Sequence, residues 1–317
     1  MELGNIYNVD YETIRTRLVK NNIPIRRSSN YSLQEVEIRK FLDENNIEHI
    51  TNSYDIIPYE LDIYIPKYKF AIEHNGNFFH SSFSKESEKL LRNKHLNKTL
   101  ECNNLGISLF HIRGDQWQNR KDIIKSMILN KCGLSKRIYA RKCEIQHINK
   151  NVAMEFIEEN HIQGTLKSSK YNIGLIYENE LVSLISIGNP RYNKNYDLEL
   201  LRSVTKKNLI VVGGFSKLIK YFRSINNESL VSYCDRQYST GISYYKAGFI
   251  LHHISQIGYC YTDKRYNIYH RTEFMKSKLK HKLEIFDENL SESENMYNNG
   301  YRKMFDCGEI VFELPKL

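Results

Sequence analysis

The sequence predicts an α/β (α+β) protein with a mixed-sheet core. Three observations carry this expectation. Segments with helical spacing of apolar residues and segments with strand-like alternation follow one another as helix, strands, helix, strand, helix over residues 28–136. Two strand-like runs and an amphipathic helix recur within residues 137–317. The 317 residues suffice for two or three domains with sizeable cores, and no internal repeat or long low-complexity tract suggests a solenoid or a disordered chain.

Taken in order, residues 1–27 read as a short helix, a turn and a second helix. Asp10 can cap the second helix, Val9 and Ile14 are placed as a hydrophobic staple, and Pro24 closes the segment. Ile14 and Leu18 face inward at i, i+4 spacing, leaving Arg15, Thr16 and Lys20 outward. This looks like the end of a helix-turn-helix arm, in which the second helix presents its N-terminal part to the major groove. Arg15, Thr16 and Lys20 are then candidate DNA contacts; an ordinary surface helix pair is the alternative.

In residues 28–136 a Ser-rich link precedes a helix at "SLQEVEIRKFLDENN", with Leu33, Ile38, Phe41 and Leu42 as its apolar stripe. A hairpin at "LDIYIPKYKFAIE" follows. A polar, basic helix "KLLRNKHLNKTLECNNLG", a buried strand "ISLFHI" and a helix "RKDIIKSMILNKCG" ending at a glycine cap complete the segment. Residues 137–317 open with the basic "KRIYARKCEI" and continue with helix "KNVAMEFIEEN". The strands "YNIGLIYENE" and "LVSLISIG" are joined tightly enough for a hairpin. Two glycines then precede the amphipathic helix in "VVGGFSKLIKYFRS", followed by "LVSYCD", "YYKAGF" and a Tyr-rich tail.

Composition narrows the function classes. Lys plus Arg number 46 against 37 Asp plus Glu, a net charge of +9 that suits a chain approaching polyanions. The 23 Tyr and 14 Phe add flat surfaces that can stack on bases, although most must be core. Six cysteines are scattered without a CxxC pair, which argues against a zinc ribbon or a disulfide framework and for reduced thiols. No stretch approaches the roughly 18 apolar residues of a membrane span, and no signal core is visible at the N-terminus. A soluble, cytoplasmic protein is the expectation.

The hairpin raises the chemical question. With period two, Leu61, Ile63 and Ile65 share one face with Phe70 and Ile72, while Asp62 and Tyr64 share the other with Ala71 and Glu73. A two-residue turn at Lys67-Tyr68 sets Asp62 directly opposite Glu73, where like charges destabilise by up to about 1 kcal/mol. A divalent cation held by both carboxylates offsets that repulsion, and hard oxygen ligands suit Mg²⁺ or Mn²⁺. Two unrelated acids on a solvated face are the plain alternative.

The blocks "EVEIRKFL", "PYELDIYIP", "AIEHNGNFFH" and "GISLFHIRGDQW" together resemble the PD-(D/E)xK nuclease superfamily, more narrowly its very-short-patch-repair-like branch, which includes phage homing endonucleases. The resemblance covers most of residues 32–130 in family order. It implies a restriction-endonuclease-like core that hydrolyses phosphodiester bonds in double-stranded DNA with Mg²⁺ or Mn²⁺. It places Glu35 on the helix that buttresses the site, Asp62 and Glu73 as metal ligands, and His80 beside the scissile phosphate. The superfamily's lysine position, two after the second acid, is Asn75 here; His80, or Lys94 and Lys98 on the next helix, can supply the positive charge. Asn75, Lys94 and Lys98 are thus candidate DNA contacts. Glu35 as a solvated helix acid, His80 as a structural histidine, Arg113 with Asp115 as an ion pair and Trp117 as core are the plainer readings.

Residues 137–317 resemble the GNAT-type acetyltransferase fold through the strand hairpin, "VVGGFSKL" before a helix, and "YYKAGF". Gly213 and Gly214 fit a pyrophosphate-cradling loop, but Ile210, Val211 and Val212 stand where a basic residue is expected. Target recognition on DNA is therefore the preferred role, with Arg137, Arg141 and Lys142 as contacts at the domain entrance. The rivals are a DNA-modifying acyltransferase and a DNA-binding regulator with an inactive nuclease core.

Overall fold

The structure is a computed structural model that describes residues 32–76, 88–263, 265 and 267–316. The expected helix-turn-helix arm with Arg15, Thr16 and Lys20 lies outside the described residues, as does His80. The chain divides into two compact units, Met1–Lys40 and Phe41–Leu317. Helix α1 (Leu33–Glu44) runs across that division, and the Ser32 Oγ accepts the Glu35 N–H at 3.0 Å at its start. Ile38, Phe41 and Leu42 are buried, but Leu33 is 81% exposed. It precedes Ile38 by five residues and so falls off the face that the i, i+3, i+4 set defines.

The second unit begins with β1 (Ile50–Ser53), β2 (Leu61–Ile65) and β3 (Phe70–Asn75), followed by helix α2 (Glu88–Asn104), β4 (Ser108–Arg113) and helix α3 (Gly114–Lys131). The strands form one sheet in the order β1-β2-β3-β4. β1, β2 and β3 pair antiparallel and β3 pairs with β4 in parallel, so the sheet is mixed. The hairpin register is Ile65 to Phe70, Tyr64 to Ala71 and Ile63 to Ile72. The connection is longer than the two-residue turn expected: Pro66–Tyr68 make a 3-10 turn and Lys69 takes the left-handed conformation at φ 46°. Proline at the first turn position favours that wind-up, and the register is the one a two-residue turn would give. Leu61, Ala71, Cys102, Ile107 and Leu109 pack as one apolar layer of this sheet.

Helix α3 starts six residues before the expected "RKDII". Asp115 sits in its first turn, and the Gln116 Oε1 accepts the Arg113 N–H at 3.2 Å. A break at Arg120 (φ −133°) separates that first stretch from the apolar-periodic part, which is why periodicity alone revealed only the second part.

The rest of the unit runs β5 (Lys136–Tyr139), β6 (Glu144–His147), α4 (Lys150–Asn160), β7 (Tyr171–Tyr177), β8 (Glu180–Gly188), β9 (Leu198–Thr205), β10 (Leu209–Val212), α5 (Gly214–Ile225), β11 (Leu230–Asp235), α6 (Ile242–Lys246) and β12 (Ile250–Ile254). β13 (Tyr259–Thr262), β14 (Ile268–His270), α7 (Lys276–Leu279), α8 (Glu292–Asn298), β15 (Arg302–Phe305) and β16 (Glu309–Leu314) follow. A seven-stranded sheet has the order β12-β16-β11-β9-β8-β7-β6, and only β11 with β9 is parallel. The β7–β8 hairpin turns at Glu178 (φ 50°) and Asn179 (φ 61°), the positive angles that a tight right-twisted hairpin needs. The amphipathic face of α5, through Leu218, Ile219 and Phe222, packs on this sheet's core with Ile173, Leu175 and Ile185. The Tyr-rich tail folds as a three-stranded sheet, β14-β13-β15, before β16 returns to the large sheet.

Gly241 takes φ 78°, and a Cβ there would meet the Phe312 ring at 2.5 Å. Gly241→Ala is expected to lower unfolding free energy by about 2 kcal/mol, through both backbone strain and overpacking; equilibrium denaturation of the full chain measures it.

Within the second unit, the four-stranded sheet and its helix α3 are bonded to the elements around the seven-stranded sheet. The His111 N–H on β4 donates to the Gln237 carbonyl at 3.0 Å, and the Asn208 N–H donates to the Ser126 Oγ on α3 at 2.7 Å. The Tyr238 hydroxyl donates to the Gln116 Oε1 at 2.5 Å, and its ring meets Phe110 edge-on. The β4 edge, which would otherwise offer unpaired backbone groups, is thereby covered.

Candidate active site

Past the Ile63–Ile72 pair, side-chain oxygens take over the cross-strand bonding. The Asp62 N–H donates to the Glu73 Oε1 at 3.2 Å, and the His74 N–H donates to the Asp62 Oδ2 at 2.8 Å. The two acids thus stand side by side across the hairpin. Glu73 is only 1% exposed, because every position of β3 is buried. From α2, the Lys98 Nζ reaches the Glu73 Oε2 at 2.5 Å, and Lys98 itself is 6% exposed. Burial, and then the neighbouring Asp62 charge, hold the Glu73 carboxyl above the usual carboxylate range, while Lys98 pulls the other way.

The hard oxygen donors that Asp62 and Glu73 bring together fit a divalent cation. A further acceptor is at hand: the Asn75 Oδ1 is buried with no hydrogen-bond partner among the described residues, which costs about 1–3 kcal/mol for a group left unsatisfied. Asn75 is 3% exposed, and its Nδ2 lies 3.3 Å from the His111 Nδ1. His111 is fully buried and faces Thr99 and the His95 ring, and burial pushes its basicity well below the ordinary histidine value.

Of the other residues singled out from the sequence, Lys94 lies one turn before Lys98 on α2 and is partly buried. Glu35 lies in the first unit, buried and ion-paired with Arg39. Arg137 on β5 and Arg141 and Lys142 in the following 3-10 turn are all exposed. Arg113 forms a two-pronged ion pair with Asp115 at 3.0 and 3.1 Å, and Trp117 is buried.

A second acid pair, not apparent from the sequence, lies across β11 and β16. Asp235 at the end of β11 is the cross-strand partner of Glu309 at the start of β16. Burial raises Asp235 to about 6 against backbone bonding to Gln237, and burial together with Asp235 and Asp306 raises Glu309 to about 7. Their separation of 74 positions hides the pairing in the sequence; strand register reveals it. Both folded values exceed the unfolded ones, so the folded chain holds extra protons. Stability is full below the ordinary carboxylate range and is lost as pH rises through about 6 to 7. Denaturant midpoints are expected to fall across that window, and Asp235→Asn to flatten the fall.

The parallel strands β9 and β11 pair only at Leu198 with Leu230 and Glu199 with Val231, then part. A cavity of about 690 Å³, lined among others by Arg202, Ser232, Asp235, Tyr238 and Tyr244, opens where they diverge.

No protein-family model and no curated protein matches the chain. Among solved structures it is similar to the catalytic domain of the homing endonuclease I-Bth0305I, at 25% identity over 32% of this chain and 94% of that one, with a TM-score of 0.26. It is also similar to a Bacillus subtilis acetyltransferase in complex with CoA, at 14% identity over 56% of this chain and 100% of that one, TM-score 0.31. A third similarity is to a protein described as a streptothricin acetyltransferase from Bacillus anthracis, in complex with acetyl coenzyme A. There the identity is 13% over 55% of this chain and 98% of that one, TM-score 0.30. No helix among the described residues is long and apolar enough to cross a membrane.

Proposed function

We propose that the chain is a metal-dependent, site-selective DNA endonuclease of the phage homing type. The observation that carries this reading is the juxtaposition of the half-buried Asp62 with the buried Glu73, with Lys98 in contact. It gives physical substance to the PD-(D/E)xK resemblance of the same residues. In this reading Asp62 and Glu73 would hold Mg²⁺ or Mn²⁺, which when bound would lower the pKa of a hydrolytic water and screen charge growing on phosphorus. Lys98 takes the electrostatic role of the lysine that Asn75 replaces, because its ammonium lies against Glu73. The net charge of +9 draws the DNA backbone, and the exposed Arg137, Arg141 and Lys142 are its phosphate contacts within residues 137–317. His80, on this reading, stands beside the scissile phosphate, and Arg15, Thr16 and Lys20 read base edges. The test is incubation of the full chain with duplex DNA from its own coding neighbourhood, with Mg²⁺ and with EDTA, and mapping of the ends. Discrete ends that need Mg²⁺ support the reading; intact DNA under both conditions contradicts it.

The cavity between the diverging β9 and β11 favours a second reading, acyl transfer by the C-terminal segment. Against it, the residues ahead of Gly213 are apolar and their backbone pairs in parallel with β5, so they are committed to a sheet and bring no cation to a pyrophosphate. Titration with acetyl-CoA by calorimetry separates the two: micromolar binding supports acyl transfer, and its absence leaves the nuclease reading.

A further inference from the structure

We propose that the Asn75 side-chain oxygen is a third ligand of the divalent cation, an inference that rests on the Asp62–Glu73 metal site above. It follows from the roles that a buried chain of hydrogen bonds imposes on each atom. The Thr99 hydroxyl donates to the His95 carbonyl at 3.0 Å. With its single proton used there, the Thr99 oxygen accepts from the His111 Nε2, 2.8 Å away. The His111 proton is therefore on Nε2, and Nδ1 is an acceptor. Facing that lone pair at 3.3 Å, Asn75 must present its amide nitrogen as donor. The opposite amide orientation would set oxygen against a lone pair. By the same count the Cys307 thiol, 3.5 Å from the Thr99 Oγ1, donates to it.

In this arrangement the Oδ1 is turned away from His111, and it is buried without a hydrogen bond. Asn75 follows Glu73 by two on β3, so both side chains emerge on one strand face. Beside the two carboxylates, the Asn75 amide would add an oxygen of another kind. An amide oxygen is a hard donor of the type Mg²⁺ and Mn²⁺ accept. Where a lysine would bring charge to this position, asparagine brings an oxygen, and the charge comes from Lys98 on α2.

The test is Mn²⁺ binding to the full chain without DNA, followed by electron paramagnetic resonance, for wild type, Asn75→Ala, Asn75→Asp and Asp62→Asn. Asn75→Ala is expected to weaken Mn²⁺ binding roughly tenfold or more, and Asn75→Asp, which puts a carboxylate oxygen at the same place, to bind at least as tightly as wild type. If Asn75→Ala does not fold, Asn75→Asp decides: binding at least as tight as wild type supports the third ligand and weaker binding overturns it. Unchanged Mn²⁺ affinity in Asn75→Ala, with binding lost in Asp62→Asn, overturns the third ligand while leaving the carboxylate site standing. Unchanged affinity in Asp62→Asn overturns the carboxylate site itself.

Discussion

Asp62→Asn and Glu73→Gln are each expected to lower DNA cleavage by on the order of 10³-fold while leaving DNA affinity nearly unchanged. Each change removes one negative oxygen donor, and with it several kcal/mol of charge stabilisation in the transition state. Neither removes a phosphate contact. The two are not equivalent structurally. An asparagine at 62 can still accept the His74 N–H through its oxygen, so the hairpin keeps its local bonding. A glutamine at 73 can accept the Asp62 N–H only by turning its NH₂ toward the Lys98 ammonium, which sets donor against donor. Asp62→Asn is therefore the cleaner probe of chemistry, and Glu73→Gln should also lose some stability. Single-turnover cleavage beside filter binding measures both quantities. Wild-type cleavage rates in either variant would remove the metal-site assignment.

Lys98→Met is expected to reduce cleavage by on the order of 10²-fold and to make stability more dependent on pH. Removing one partner of a buried ion pair typically costs about 3–5 kcal/mol, because the other charge is left uncompensated. Glu73 has an escape, since burial and Asp62 already favour its protonated form. Without Lys98 its folded pKa rises further above the unfolded value. The sign is then fixed: the folded variant holds the extra proton at low pH, and stability is lost as pH rises through the raised folded pKa. The gap in denaturant midpoint between wild type and variant should be small near about pH 6 and wide near about pH 8.5. Mg²⁺ should narrow it, because a cation bound to the folded state stabilises that state and replaces the missing charge. A gap that is the same at both pH values would show that the Lys98–Glu73 contact does not govern the ionisation of Glu73.

Much of this site was legible in the sequence, for a physical reason. Strand alternation has a period of two, so once the turn was centred between Lys67 and Tyr68 the facing of Asp62 and Glu73 followed. The turn is longer than the two residues expected, yet the 3-10 turn with Lys69 preserves the register. The hairpin of β7 and β8 and the helix at residues 150–160 were legible for the same reason: local signals in a short window determine them. What periodicity does not carry is pairing across long separations. Asp235 meets Glu309, and Thr99 meets Cys307, only through the packing of distant elements. The burial of Asn75 was likewise hidden, because β3 is covered on both faces and its polar residues then look, in the sequence, like an exposed strand end.

The proposed nuclease activity rests on Asp62 and Glu73 as metal ligands. Its most direct test is single-turnover cleavage of supercoiled plasmid carrying the chain's own coding neighbourhood, by wild type and by Asp62→Asn, at concentrations where both saturate the DNA, with Mg²⁺ and with EDTA. The expected result is nicked or linear product only for wild type with Mg²⁺. Equal product from Asp62→Asn, or product that persists in EDTA, would contradict it.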